Sequence, residues 1–335
     1  AVYALKGLVE VVWVVKHEQI GDAFFDRDAA SFLLDELQRQ QPSGAGASRP
    51  EGEEGRPNLT AAAEAGAAGP GKAAIVQHHG VPGHAAGPRW VDAFPSSSSA
   101  TATSAGVVLE HSEVDAIWDA PSPQQAAQVA LANGKVYEVD VVISAVGVEP
   151  NTEGLPAELE RAGDGGLRVG FRMQTSCPGV FAAGDVCTMD SPVAASQWFQ
   201  MRLWTQARVM GAFAGHCMAD AVDDLSSGFN FELFTHCTRF FGTKVVLLGL
   251  YNGQTLESEP EEDVVTYQRT MEAAEGGGST FVRVLLLRGR MQGAVLLGDT
   301  DLEETCENLI LTQLDLSDVG PQLLDPDIEL DHIFD

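Results

Sequence analysis

Two kinds of hydrophobic patterning open the chain. Residues 9–15 (VEVVWVV) form a continuous apolar, β-branched run, which is typical of a strand covered on both faces in a parallel sheet. Behind Asp26, a residue type that favours helix N-caps, Phe32, Leu33 and Leu37 recur at helical spacing and predict a helix over 29–37. Residues 139–146 (VDVVISAV) predict a second buried strand.

Shorter patterns predict the remaining elements. Asn133-Gly134 is a favoured two-residue turn and predicts a β-hairpin over 127–139. Apolar residues at helical spacing predict a helix over 198–219, with Trp198 at its start. Further short strands are predicted at 107–110, 167–169 and 180–183, and a C-terminal series at 229–234, 244–250, 264–269, 281–288 and 291–297, before a closing helix over 303–313. This series indicates an antiparallel sheet with a helix, an α+β domain separate from the parallel sheet.

Residues 41–106 differ in composition from the rest of the chain. Gly, Ala, Ser, Pro and Glu dominate this stretch, which is much longer than the loops of compact domains. Too little apolar surface is present to offset the entropy of ordering it, so a disordered, low-complexity insertion is predicted.

The charge is strongly negative and concentrated near the C-terminus. The net charge is −28, and no Lys or Arg follows Arg290. Because such a surface repels phosphate backbones, direct nucleic-acid binding is not expected. The acidic face is either simply solvated or a docking surface for a basic protein. No run of eighteen apolar residues occurs, so no membrane span is predicted.

The five cysteines indicate neither a disulfide framework nor a metal site. Their number is odd, and none forms a C-x-x-C pair. The steps His216-Cys217 and His236-Cys237 lack the spacing that aims two ligands from one turn. We expect reduced thiols packed as small apolar groups.

The segment 175–186 (TSCPGVFAAGDV) carries the strongest chemical signal. An apolar strand is predicted to run into Gly184, which has no Cβ and lets the backbone pass close to a bulky ligand. Asp185 then projects from the carboxyl end of the strand, where doubly wound sheets bind ligands. A carboxylate there can accept hydrogen bonds from sugar-like hydroxyls.

This segment resembles the second FAD signature of the pyridine nucleotide–disulfide oxidoreductases. The resemblance implies that Asp185 contacts the ribityl chain of FAD and that Gly184 gives the close approach. Residues 144–151 (SAVGVEPN) resemble the family's A-x-G-x-x-P-N crossover between its two nucleotide-binding domains, and place Ala145 and Gly147 at the flavin site. The helix after G-D would point its N-terminus at the flavin ring, with Trp198 beside it and Trp204 in the core.

The resemblance covers roughly residues 1–40 and 107–335, and stretches such as QMRLWTQARVMG extend it toward the C-terminus. It implies FAD and NAD(P)H as cofactors, and a tRNA ligase as a protein partner. The two G-x-G-x-x-G turns of the family are missing, which is expected of a fragment truncated at its N-terminus. The spelling GPGKAA at 69–74 lies inside the low-complexity stretch and is not such a turn.

The end of strand 9–15 bears on the choice of nicotinamide cofactor. Lys16 and His17 stand where an acidic residue usually binds the ribose 2′-hydroxyl. They either tolerate a 2′-phosphate, as in NADP, or are plain surface residues.

Together these features predict an α/β fold: partial, Rossmann-like FAD- and NAD(P)-binding domains followed by an α+β domain. The expected division is 1–40 with 107–148 for NAD(P), 149–222 for FAD and 223–335 for the α+β domain. The expected function is FAD-dependent NAD(P)H oxidation in a reducing compartment, the cytoplasm or nucleus, with a homo-oligomer possible. The alternative is a non-catalytic interaction or dimerisation protein that has lost cofactor binding. No acid, base or nucleophile is identified in this chain.

Overall fold

The computed structural model describes residues 2–5, 8–17, 20–21, 24–39, 75–82, 101–103, 107–119, 126–189, 197–222, 231–272 and 278–326. Its helices are α1 (Val2–Leu5), α2 (Arg27–Arg39), α3 (Trp204–Met218) and α4 (Glu303–Thr312). The strands before α3 are β1 (Val11–Val15), β2 (Ile75–His79), β3 (Thr101–Thr103), β4 (Val107–His111), β5 (Val114–Trp118), β6 (Ala127–Leu131), β7 (Val136–Val139), β8 (Leu167–Val169) and β9 (Cys187–Met189). Those after it are β10 (Thr235–Phe240), β11 (Thr243–Gly249), β12 (Val264–Met271), β13 (Thr280–Leu287) and β14 (Arg290–Leu297).

Four sheets are present in this part of the chain. Strands β1 and β4 pair in parallel and β3 adds an antiparallel edge, while β5, β6 and β7 form an antiparallel meander and β8 and β9 a short parallel pair. The largest sheet has the order β10-β11-β14-β13-β12-β2 and is antiparallel throughout. The α/β fold with parallel pairs and a separate antiparallel sheet is confirmed, as are the hairpin at Asn133-Gly134 and the closing helix.

The six-stranded sheet is buried on both faces. In β11, Val245 and Leu247 face one apolar cluster, and Val246 and Leu248 face another, as the two-residue period of a strand requires. Helix α4 packs its buried Ile310 into the second cluster. The faces are therefore covered by elements from different parts of the chain.

Helix α2 covers the other face. Its Phe32 ring lies 5.8 Å from that of Phe281 on β13, and Leu33 and Leu37 are buried in the same cluster. The sequence predicts residues 1–40 to be in the nucleotide-binding part, whereas helix α2 shares its core with the C-terminal sheet. The apolar stripe of α2 predicts that one face of the helix is buried, but it does not predict which sheet that face packs against.

A buried ion pair ties α2 to the sheet. Asp26 caps the helix by accepting a hydrogen bond from the Ala29 N–H at 2.9 Å, and its second carboxylate oxygen pairs with Arg283 of β13. Both side chains are almost fully buried. Burial lowers the pKa of Arg283 to about 9, so the guanidinium stays charged at neutral pH and depends on Asp26 for its counter-charge.

The predicted disordered insertion contains ordered strands. Residues 75–79 form β2, which pairs with β12 at the edge of the large sheet, and residues 101–103 form β3. Val81 packs against Gly253, where an added Cβ would lie 2.6 Å from a Val81 methyl carbon. The prediction is wrong at these positions because a short strand needs little apolar surface of its own when a sheet edge supplies its hydrogen bonds. The rest of 41–106 lies outside the described residues.

The strand predicted at 139–146 is also wrong. β7 ends at Val139, and residues 140–149 lack regular structure and are exposed, with Val146 at 93%. No described strand runs alongside them. An apolar run predicts burial only where partner strands exist to cover it.

Three boundaries differ from prediction. Residues 180–183 form one isolated bridge, Gln174 with Phe181, rather than a strand. The strand expected at 229–234 lies instead at β10, and residues 229–230 are outside the described part of the chain. Helix α3 begins at Trp204, six residues later than expected.

The Asp26–Arg283 pair predicts a large loss of stability when the Asp26 side chain is removed. Replacing Asp26 by Ala leaves a buried, unpaired guanidinium and should lower the free energy of unfolding by about 3–5 kcal/mol, measured by urea denaturation. Adding Arg283→Met should restore part of it, since no charge is then left unpaired. Glu113→Ala, at the exposed ion pair with Lys16, is the control and should change little. A loss at Asp26 no larger than at Glu113 contradicts this account.

The pairing of β2 predicts a positional effect of proline. Gly80 donates to the Val264 carbonyl at 2.9 Å, so alternation places the N–H of His78 toward β12 and that of His79 away from it. His78→Pro should therefore release β2, whereas His79→Pro should be tolerated on this edge strand. Amide hydrogen exchange at Thr266, which faces His78, should rise in the first variant alone. Equal effects of the two prolines would contradict the register.

Candidate functional site

Gly184 and Asp185 lie in a tight turn packed against α3. Residues Gly184–Val186 form a single 3-10 turn, with the N–H of Cys187 donating to the Gly184 carbonyl. Gly184 is buried at φ +76°, and a Cβ there would lie 3.2 Å from the Cβ of Ala207. The glycine therefore allows close approach of the helix as well as a backbone conformation that other residues rarely adopt. The Asp185 side chain is exposed.

The beginning of the motif closes a loop. The backbone N–H of Thr175 donates to the Val180 carbonyl at 2.9 Å, and the Thr175 hydroxyl donates to the same oxygen at 3.0 Å. Gly179 takes φ +78° within this loop. Thr175 and Gly179 thus have a structural reason to be in the pattern, while Asp185 is its exposed charged group.

Arg202, in the segment before α3, forms hydrogen bonds that hold the Asp185 turn in place. Its Nε donates to the backbone carbonyl of Asp185 at 3.2 Å, and its Nη2 donates to Asp164 Oδ2 at 2.8 Å. The Thr188 hydroxyl donates to Asp164 as well, at 2.8 Å. The Arg202 hydrogen bond, with further donors from Gly166 and Thr188, lowers the pKa of Asp164 to about 2. The carboxylate is charged at neutral pH, and its stabilising effect is lost only as the pH falls below about 4 toward 2.

Two glutamines keep the segment before α3 extended. Gln200 accepts a hydrogen bond from the Met189 N–H at 2.8 Å and donates to the Cys187 carbonyl at 2.9 Å, so its amide takes the place of a strand neighbour beside β9. Gln206 accepts from the Met201 N–H at 2.6 Å and donates to the Phe199 carbonyl at 2.9 Å. Because these backbone groups are satisfied by side chains, the helix begins only at Trp204.

Because helix α3 begins later than predicted, Trp198 and Trp204 lie in environments opposite to those expected. Trp198 was predicted at the helix N-terminus, but it precedes the helix and packs edge-on against Phe231, with ring centroids 5.2 Å apart. Trp204, expected in the core, is the first helical residue and is 94% exposed. The helical period located both residues on one helix, although only the second lies on it. Trp198 as a flavin neighbour stays a prediction.

Ala145 and Gly147 do not pack with this turn. Both are exposed, and a Cβ at Gly147 would meet no atom within 4 Å. Gly147 does adopt φ +97°, consistent with a turn at this position. Their contribution to a flavin site therefore stays a prediction.

The carboxyl ends of β1 and β4 meet at a second polar cluster. Lys16 pairs with Glu113 at 2.7 Å, and His111 Nδ1 lies 3.0 Å from the His17 carbonyl oxygen. The hydrogen bond with Glu113 raises the pKa of Lys16, so the ammonium is already matched by a carboxylate. This ion pair is compatible with both interpretations of Lys16, as a residue that tolerates a 2′-phosphate and as a plain surface residue.

One residue before His111, the buried Glu110 joins β4 to the β5–β7 meander. Lys135 Nζ donates to its carboxylate at 2.8 Å, and the Tyr137 hydroxyl and Asn133 amide donate as well. Burial alone would raise the pKa of Glu110, but these hydrogen bonds lower it. Sequence reasoning missed Glu110, Asp164 and Arg202, since only the fold brings their partners together.

The thiols and histidines give no further centre in the described residues. Cys187, Cys217 and Cys306 are buried, and burial raises the pKa of the Cys187 thiol to about 11. Within those same residues, no group of three His, Cys, Asp or Glu side chains could hold a metal ion. None of the helices described here has the length and apolar character needed to cross a membrane.

The sequence model of the pyridine nucleotide-disulphide oxidoreductase family matches residues 97–211. Pyridine nucleotide-disulfide oxidoreductase domain-containing protein 1 of Homo sapiens is 38% identical over 365 residues, covering 100% of this chain and 68% of that protein. The protein of the same name from Danio rerio is 41% identical over 355 residues, covering 100% and 67%.

Solved structures show the same fold. A NAD-dependent persulfide reductase from A. fulgidus matches with a TM-score of 0.50 at 19% identity, over 69% of this chain and 44% of that one. The covalent putidaredoxin reductase–putidaredoxin complex matches with a TM-score of 0.50 at 19% identity, over 68% and 50%.

The Gly184–Ala207 contact predicts a matched pair of glycine effects. Gly179→Ala introduces only the strain of a positive φ, roughly 1–2 kcal/mol, because a Cβ there meets nothing within 4 Å. Gly184→Ala should lower the free energy of unfolding further, since its Cβ also presses on Ala207. Ala207→Gly should relieve the excess, judged against the Ala207→Gly variant alone. Equal losses at Gly179 and Gly184 would contradict the close contact.

Proposed function

Because the chain belongs to the pyridine nucleotide–disulfide oxidoreductase family, we propose that it is part of an FAD-dependent NAD(P)H oxidoreductase. The observation that carries the proposal is the exposed Asp185 carboxylate on a turn whose backbone is held by α3 and Arg202. A fixed carboxylate at such a turn suits the hydroxyls of a sugar-like chain, as the ribityl chain of FAD presents them.

The surroundings of Asp185 fit a flavin. Trp204 offers a flat, exposed apolar surface at the start of α3, and the helix has no side-chain cap there. Its first N–H groups and its dipole favour negative charge at this end. Bound flavin would accept hydride from a reduced nicotinamide and pass electrons on. The chain's own part would be to bind and orient: Asp185 through hydroxyls, Trp204 through its face and α3 through its N-terminus.

The nicotinamide cofactor would lie at the carboxyl ends of β1 and β4. The Lys16–Glu113 pair gives this edge a cation and a carboxylate together. A ribose hydroxyl suits Glu113 and a 2′-phosphate suits Lys16, so both NADH and NADPH fit the proposal. The electron acceptor is not specified by any residue described.

Three further parts of the proposal are supported by the family resemblance alone. They are a tRNA ligase as protein partner, a homo-oligomer, and the cytoplasm or nucleus as location. The acidic C-terminal region, free of Lys and Arg after Arg290, is compatible with a basic protein partner.

Flavin binding by the purified chain tests the proposal. Titration with FAD, followed by quenching of flavin fluorescence, should give saturable binding, and NAD(P)H should bleach the flavin absorbance. Asp185→Asn should weaken FAD binding by roughly tenfold, because a hydrogen bond to a charged acceptor contributes about 1.5–3 kcal/mol and one to a neutral amide oxygen about 0.5–1.5 kcal/mol.

Asp318→Asn is the matched control, since Asp318 is exposed and lies beyond α4. It should leave FAD binding unchanged. A folded chain that binds no FAD would support the alternative of a non-catalytic interaction protein. Equal weakening by both variants would indicate a general charge effect rather than a ligand at Asp185.

A further inference from the structure

Arg202 is a charged side chain whose contacts join the Asp185 turn to the segment that leads into α3. Its guanidinium donates to the Asp185 carbonyl and to the Asp164 carboxylate, and more weakly to the Thr188 hydroxyl at 3.4 Å. The side chain is only 21% exposed, so its position is set by these contacts and by packing rather than by solvent. A planar guanidinium can serve both acceptors at once from fixed directions.

Asp164 in turn is held by groups that do not belong to the turn. The Thr188 hydroxyl donates to both of its carboxylate oxygens, at 2.8 and 2.9 Å, and the Gly166 N–H donates at 3.1 Å. Thr188 lies on β9 and Gly166 directly precedes β8, so Asp164 is anchored to this parallel strand pair. The anchored carboxylate therefore fixes Arg202, and Arg202 fixes the carbonyl of Asp185.

Resting on the proposed function, we propose that Arg202, anchored by Asp164, is a positioning residue that holds the Asp185 turn in the shape that binds FAD. The guanidinium contacts the backbone of Asp185 and leaves its carboxylate free to accept from the ligand. Arg202 therefore acts through Asp185, and its effect on FAD binding depends on the Asp185 side chain being present.

Arg202→Lys tests geometry against charge. Lysine keeps the positive charge but has a single ammonium, which cannot reproduce the fork that reaches both Asp164 and the Asp185 carbonyl. We expect FAD binding in fluorescence titration to weaken by at most the roughly tenfold expected for Asp185→Asn, because Arg202 acts on the ligand only through Asp185. In the Asp185→Ala background, Arg202→Lys should have no further effect, because the group it positions is gone. Arg172→Lys, at the Arg172–Asp220 ion pair, is the control and should leave FAD binding unchanged.

The ligand-free chain gives an independent reading. The N–H of Cys187 donates to the Gly184 carbonyl and closes the turn, so its hydrogen exchange reports whether the turn is held. Exchange there should rise in Arg202→Lys and in Asp164→Ala, and the double variant should not exceed the larger single effect. Urea denaturation checks that the rest of the chain stays folded.

Each outcome decides between the two proposals. Faster exchange at Cys187 with weakened, Asp185-dependent FAD binding supports Arg202 as a positioning residue. Unchanged exchange, or an equal loss of affinity in the Asp185→Ala background, overturns it even if wild-type chain binds FAD. If wild-type chain binds no FAD, the proposed function fails and the flavin role of Arg202 fails with it, while the exchange result still decides whether Arg202 holds the turn.

Discussion

The contact between Gly184 and Ala207 is the constraint on which the candidate site depends. It brings the backbone of a tight turn against the first turn of helix α3, which begins at Trp204 and has no side-chain cap. A side chain on residue 184 would separate them and would also oppose the positive φ of the turn. Arg202 and Asp164 then fix the turn against the parallel strand pair β8–β9.

The large antiparallel sheet holds together segments that are far apart in sequence. It takes a helix from the beginning of the chain on one face, a helix from near its end on the other, and a strand from residues 75–79 at its edge. Because an unpaired charge is unfavourable in an apolar interior, positions of α2 that separate Asp26 from Arg283 are disfavoured.

Local pattern predicted the elements that carry their own signal. The strand at β1, the hairpin at Asn133-Gly134, the strands β11 to β14 and the closing helix followed from period and turn residues. The motif at 175–186 identified the family, and the comparisons confirm it. Where the hydrophobic pattern gave a wrong prediction, the outcome depended on a neighbouring strand, and the local sequence does not show which strands are neighbours. Residues 139–146 have the composition of a strand but no described neighbour, and residues 75–79 have little apolar surface but a sheet edge to pair with.

The candidate site shows the same division. Asp185 was identifiable because the motif places it next to Gly184, whereas Arg202 and Asp164 are 17 and 21 residues from Asp185 and carry no motif. The helix start was misplaced because Gln200 and Gln206 satisfy backbone groups with their side chains, which periodicity does not register. Side-chain bonds to the backbone compete with the helix at its N-terminus.

The most direct test of the account is amide hydrogen exchange along the whole chain with and without FAD. The account predicts protection concentrated at residues 184–188 and at the first turn of α3, with the C-terminal sheet unchanged. Protection confined to other segments, with the Gly184 turn unaffected by FAD, would contradict Asp185 as the centre of the site.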